Sequence, residues 1–118
     1  MSNTNRATIS THVLDTTRGE PAAGVLVTLW RLDGKNAVPQ GSHETDADGR
    51  IASLAGGEGA LSAGTYRLSF DVGAYYKKKG TAAFLQRATL DFEIADLTRR
   101  YHVPLLMSPF ACSSYRGS

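Results

Sequence analysis

The chain has 118 residues, 42% of them hydrophobic and 20% charged, with a net charge of +2. A chain of this length is one domain that buries roughly two thirds of its unfolded surface, which excludes intrinsic disorder and leaves little room for a deep private cavity. The charge is too small and its basic residues too scattered for a nucleic-acid partner, and no apolar run nears the ~20 residues that span a membrane.

Residues 1–6 read as a flexible N-terminus, and "MSNTNRATIS" lacks the apolar core of a signal peptide. "ATISTHVLD" (7–15) alternates as a strand, with Ile9, Thr11 and Val13 on one side and Ser10, His12 and Leu14 on the other. "TTRGEPAAG" then breaks with Gly and Pro. "VLVTLWRL" (25–32) is apolar on both faces, as in a strand covered on both sides. "DGKNAVPQG" (33–41) reads as a loop, and "SHETDADGR" (42–50) as a polar strand ending in an Asp-Gly turn. "LAGGEGALSAG" (54–64) reads as a flexible connection; its "GGEG" follows no strand-helix pattern and is no phosphate loop.

"TYRLSFDV" (65–72) alternates again, with Tyr66, Leu68, Phe70 and Val72 on one face. "GAYYKKKG" (73–80) is the best helix candidate, stopped by Gly80. Its Lys77, Lys78 and Lys79 are either a phosphate contact or, by preference, a solvated face. "RATLDFEIA" (87–95) alternates through Leu90, Phe92 and Ile94, and "RRYHVPLLMS" and "FACSSYR" supply two more strands. Seven or eight short strands and one short helix make an all-β protein, a β-sandwich. In 101–107, Tyr101, Val103, Leu105 and Met107 share one face, and the other face carries His102, Pro104 and Leu106. That second face is still apolar, so an oligomer with His102 at a subunit interface is expected.

Three histidines, two arginines and a cysteine are the candidates for chemistry. His12 and His102 stand opposite the regular apolar faces of their strands; either they converge on one cleft as groups that titrate near neutrality, or they are unrelated and locally hydrogen-bonded. Arg50, after the Asp48-Gly49 turn, either holds a developing oxyanion or simply ends a strand, and Arg116 carries the same ambiguity. His43 lies in a polar strand and is expected to be exposed. "ETDADG" (44–49) spaces carboxylates as a calcium loop does, but position twelve is Ala55 where a glutamate is needed, so a hairpin turn is the better reading. The lone Cys112 allows no internal disulfide and no zinc-finger site; it suits a reducing, cytoplasmic setting. There is no G-x-S-x-G elbow and no S-x-x-K.

Three segments carry a resemblance: "ISTHVLDTTRGEPAAGVLVTLW", "TDADGR" and "RRYHVPLLMSPFACSSYRGS". Together they resemble the 5-hydroxyisourate hydrolases, transthyretin-related enzymes of purine catabolism, over nearly the whole chain. The terminal "YRGS" is the most specific part and separates these enzymes from the hormone carrier of the same fold. The resemblance implies a transthyretin-like two-sheet β-sandwich with one short helix. It also implies a homotetramer, a dimer of dimers, with sites in the channel between the dimers. The implied reaction is hydrolysis of 5-hydroxyisourate to 2-oxo-4-hydroxy-4-carboxy-5-ureidoimidazoline, with no organic cofactor and no metal. The implied catalytic residues are His12, Arg50, His102 and Ser118, and the implied substrate-binding residues His12, Arg50, Tyr115 and Arg116. On this reading the tail from Tyr115 to Ser118 packs into the catalytic channel, with Arg116 as its possible structural anchor. A transthyretin-like carrier, holding a small ligand in the channel, is the alternative. The sequence departs from the family at Phe110, at Ala111-Cys112, at Arg100 and at Leu85, none of them a matched site residue. Cys112 reads as a packing residue rather than an exposed thiol.

Overall fold

The computed structural model describes residues 5–56 and 61–118. Everything is organised around β1 (Thr8–Asp15), whose strict alternation buries Ile9, Thr11, Val13 and Asp15 and leaves Ser10, His12 and Leu14 half-buried on the opposite face. Along one edge β1 pairs antiparallel with β2 (Glu20–Pro21) and β5 (Arg50–Gly56). Along the other it runs parallel to β8 (Tyr101–His102) and β9 (Leu105–Met107), and β9 pairs with β10 (Cys112–Ser114). The second sheet has the order β4-β3-β6-β7 and comprises β3 (Leu26–Asp33), β4 (Asn36–Glu44), β6 (Gly64–Phe70) and β7 (Ala88–Ile94). The sheets enclose a core built on Ile9, Val13, Val27, Leu29, Leu68, Phe70, Ile94, Leu105 and Met107, all at most 1% exposed.

Several elements differ from the sequence expectation. The segment 33–41 is not a loop: β3 and β4 form a hairpin closed by Gly34-Lys35, and β4 runs through Pro39 and Gly41. It can do so because it is an edge strand with a register shift opposite Leu29 and Trp30, and an edge or a bulge tolerates a missing N–H. Strand β4 ends at Glu44 rather than at Arg50, and residues 54–56, expected in a flexible connection, belong to β5. The "GGEG" call falls largely on 57–60, which lie outside the described residues, as do residues 1–4 of the expected flexible N-terminus. Asn5 and Arg6 are tied down, through Asn5 Nδ2 to the Leu61 carbonyl (2.8 Å) and Arg6 N–H to that of Leu97 (2.6 Å). Strand β3 is covered on one face only: Val27 and Leu29 are buried, whereas Leu26 is 41% exposed. The single strand expected over 101–107 is interrupted at Val103-Pro104, since Pro104 has no N–H to continue the ladder.

The one helix, α1 (Val72–Lys78), is capped by Asp71, whose side chain accepts from Ala74 N–H, and Gly80 follows it at φ +71°. Lys77 and Lys78 occupy its last turn, where cations are favoured, and all three lysines are exposed. Its buried face carries Tyr75 and Tyr76, whose hydroxyls donate to the two oxygens of the fully buried Asp15 carboxylate at 2.9 and 2.8 Å. Thr17 N–H adds a third bond at 3.1 Å, and Arg18 lies 3.7 Å away. This knot fastens the helix to the end of β1. Burial, with Asp15 alongside, pushes the Tyr75 phenol up to about 12 and also raises that of Tyr76.

Tyr76→Phe should remove one of these charge-assisted bonds and destabilise the fold by about 2 kcal/mol. Urea unfolding should show this as a lower midpoint with an unchanged slope; an unchanged midpoint would mean that Thr17 and Tyr75 satisfy Asp15 without it.

Candidate active site

The open face of the β1 sheet gathers the sequence candidates by register alone. His12 stands directly across from Arg50 on β5, and Ser10 directly across from His102 on β8. Opposed residues point to the same side, and His12 is two residues from Ser10, so His12, Arg50, Ser10 and His102 share one face. The two histidines therefore share a sheet face, as one of the two sequence readings has it. Ser10 Oγ lies 2.9 Å from His102 Nδ1.

Arg50 is placed by the turn before it. Asp46 Oδ1 accepts the backbone N–H groups of Asp48 and Arg50 at 2.9 and 3.0 Å, so the carboxylate closes a turn, as the hairpin reading expects. Gly49 sits at φ +75°, and any Cβ there would collide with the Val13 carbonyl oxygen. Only glycine lets this turn lie against β1, where Val13 N–H donates to the Gly49 carbonyl at 2.7 Å. Among the described residues no three of His, Cys, Asp or Glu gather closely enough to hold a metal ion.

The C-terminal segment folds back onto β8. Gly117 N–H donates to the His102 carbonyl at 2.8 Å and bridges that residue. A Cβ on Gly117 would sit 2.5 Å from His102 Cδ2, so glycine alone permits this approach. Arg116 stacks its guanidinium over the Tyr101 ring at 4.8 Å, and the Tyr101 hydroxyl is itself fixed by accepting from Asp96 N–H (3.1 Å) and donating to the Asp96 carbonyl (2.8 Å). Beside the tail lies a cleft of about 230 Å³ lined by Leu90, Phe92, His102, Val103, Ser114, Tyr115 and Arg116, among others. Tyr115 is 61% exposed, and Arg116 and Ser118 are also exposed. His12 and Arg50 are not among the residues lining that cleft.

His102 is held below the ordinary histidine value, first by burial and then by the nearby Arg50 and His12. Both effects favour the neutral ring over the imidazolium. His43 is exposed on the edge strand of the second sheet, apart from this group. Cys112 is half-buried against the core and its thiol is raised by burial, in keeping with a packing role. Sequence reasoning left Ser10 and Ser114 out of the site. Ser10 was legible as the residue two before His12 on the same strand face. Ser114, which donates to the Pro104 carbonyl at 2.6 Å, left no such signal.

Because Arg50 lowers the His102 pKa, Arg50→Gln should raise it. Titration of the His102 ring by NMR in both proteins measures the shift, and an equal or lower value in the variant would show that Arg50 does not hold the ring down.

A sequence model of the HIUase/transthyretin family matches residues 9–117. The 5-hydroxyisourate hydrolase of Deinococcus radiodurans is 46% identical over 113 residues, covering 93% of this chain and 95% of its own. The structure of the Klebsiella pneumoniae 5-hydroxyisourate hydrolase superposes with a TM-score of 0.82 at 40% identity, covering 94% of this chain and 99% of that one. Transthyretin from Sparus aurata superposes with a TM-score of 0.87 at 28% identity, covering 95% and 97%.

Proposed function

The chain belongs to the HIUase/transthyretin family, and we propose that it is a hydrolase that opens the ring of 5-hydroxyisourate in urate catabolism. The observation that carries this reading is the gathering of His102, His12 and Arg50 on one open sheet face. Such a face supplies a base and a fixed cation together, which is what hydrolysis of a cyclic amide requires. Its relatives of 40–46% identity are named for this activity.

In the mechanism we infer, His12 and His102 position a water and remove its proton as the oxygen bonds to the ring carbonyl carbon. Arg50 stabilises the oxyanion that forms. When the tetrahedral centre collapses, the ring C–N bond breaks and the departing nitrogen takes up the proton. One water is consumed and 2-oxo-4-hydroxy-4-carboxy-5-ureidoimidazoline is released. Tyr115 and Ser118 orient the substrate, and the tail closes the site against bulk water; Arg116, stacked on Tyr101, is better placed to anchor that tail than to bind substrate.

The working unit we propose is a homotetramer, a dimer of dimers, acting in the cytoplasm, where a lone thiol such as that of Cys112 stays reduced. Support for the assembly comes from the half-buried Leu14 and Leu106 on the site's own face and from Phe110, 74% exposed in the single chain. A carrier reading draws on the likeness to transthyretin. It makes the His/Arg set dispensable and leaves the bond between Gly117 and His102 without a purpose.

Generating 5-hydroxyisourate from urate with urate oxidase and following its ultraviolet absorbance tests the reading. The full chain should accelerate the decay, and a folded variant truncated after Ser114 should not. A positioned base is worth about 10²–10⁴ in rate, so His102→Asn should lower kcat/KM at least about a hundredfold; Arg50→Ala should do likewise through one lost oxyanion donor. Near-normal rates in either variant would refute its role. As pH falls, protonation removes the base. With His102 held low, kcat/KM should persist below the ordinary histidine value of 6.5 and fall only at more acid pH. A decline centred above 6.5 would assign the limb to another group.

A further inference from the structure

We propose that Ser10 is a positioning residue for the reaction, holding His102 with its proton on Nδ1 so that the Nε2 lone pair is the base that receives the water proton. The inference rests on the hydrolase reading and names which nitrogen of which histidine does the work.

The ring of His102 has two polar atoms and two edges. Nδ1 is 2.9 Å from Ser10 Oγ, across a pair of directly opposed strand residues, which fixes the contact by backbone register rather than by a mobile loop. The Cδ2 edge is shut by Gly117, whose Cα leaves no room there even for a methyl group. The His102 carbonyl is occupied by Gly117 N–H. Nε2 remains as the polar atom of the ring to which neither Ser10 nor the tail is bonded.

A neutral imidazole has one donor nitrogen and one acceptor nitrogen, and the partner of the first decides the role of the second. If Nδ1–H donates to Ser10 Oγ, Nε2 is bare and accepts a proton. If Ser10 O–H donates to Nδ1, Nε2 carries a hydrogen, and His102 becomes a donor to the substrate's oxygen while the base role passes to His12. The surroundings favour the first arrangement. Arg50 already supplies positive charge for the oxyanion, so a second donor beside it adds little, whereas a bare Nε2 adds a base. A hydroxyl also suits the task better than a carboxylate would. It orients the ring without adding a negative charge that would favour the imidazolium.

The proton count closes on this arrangement. Nε2 takes a proton from water as the new C–O bond forms, and the imidazolium keeps its Nδ1–H on Ser10. Nε2–H then gives its proton to the ring nitrogen as the C–N bond breaks, and the enzyme returns to its starting state.

The ring nitrogens of the ¹⁵N-labelled full-length protein report the tautomer directly by NMR at neutral pH. We expect His102 with a protonated Nδ1 and a bare Nε2. Ser10→Ala should give a mixture of tautomers and lower kcat about tenfold, with KM within about twofold, the loss of one orienting hydrogen bond. Ser10→Thr, which keeps the hydroxyl on a β-branched side chain suited to a strand, should restore both. A wild-type ring protonated at Nε2 would overturn the proposal without touching the hydrolase reading, and so would a wild-type kcat in Ser10→Ala. A protein that holds the Nδ1–H tautomer but does not hydrolyse 5-hydroxyisourate would overturn the base role through the function, not through Ser10.

Discussion

The structure depends on the position of β1 at the middle of its sheet. Both of its edges are taken, by β2 and β5 on one side and β8 and β9 on the other. Its alternation sends Ile9, Val13 and Asp15 into the core and Ser10 and His12 to the open face. A slip of one residue would exchange the two sets and expose the core, so the energy that packs the sandwich also fixes the site. Asp15 locks the end of this strand. With its carboxylate bonded to two helix tyrosines, any shift of β1 would strand buried polar groups, which costs more than most apolar mismatches.

The tail uses the same economy of parts. It is held by one backbone bond, one stacked guanidinium and one glycine that fits against an imidazole. Tyr101 and His102 are adjacent in sequence but face opposite ways, one into the core and one out to the site. The buried ring anchors Arg116 while the half-buried one packs against Gly117. The core is thereby coupled to the site through two consecutive residues.

Much of this was legible in the sequence because period-two alternation survives wherever one face is buried. The strands at 7–15, 65–72 and 87–95 were readable for that reason, although Asp71 caps and Val72 opens the helix, and so was the pairing of His12 with the open face. The helix was marked by Gly80 and its two core tyrosines. The hairpin at 33–41 was hidden because Pro39 and Gly41 look like breakers unless the strand is known to be an edge. Strand β5 was hidden because a register shift between Ile9 and Thr11 puts its buried residues at Ile51 and Leu54, off the period of two. The meeting of Arg50 with His12, and of Ser10 with the His102 ring, required long-range pairing that no local pattern encodes. That part rested on the resemblance until the fold was in hand.

The parallel pairing of β1 with β8 and β9 has a kinetic consequence. Ser10 and His102 are 92 residues apart in a chain of 118, and the offset is the same for every pair from Ile9 to Asp15. No local hairpin can bring them together. Closing a loop of that length costs about 4 kcal/mol of chain entropy before any contact repays it. A topology dominated by such contacts folds slowly, on the millisecond-to-second scale, and during synthesis β1 waits with one edge bare until nearly the whole polypeptide has emerged. The face that carries His12 and His102 is therefore among the last parts of the molecule to exist, and it is the part most exposed to unwanted strand pairing while nascent chains are crowded together.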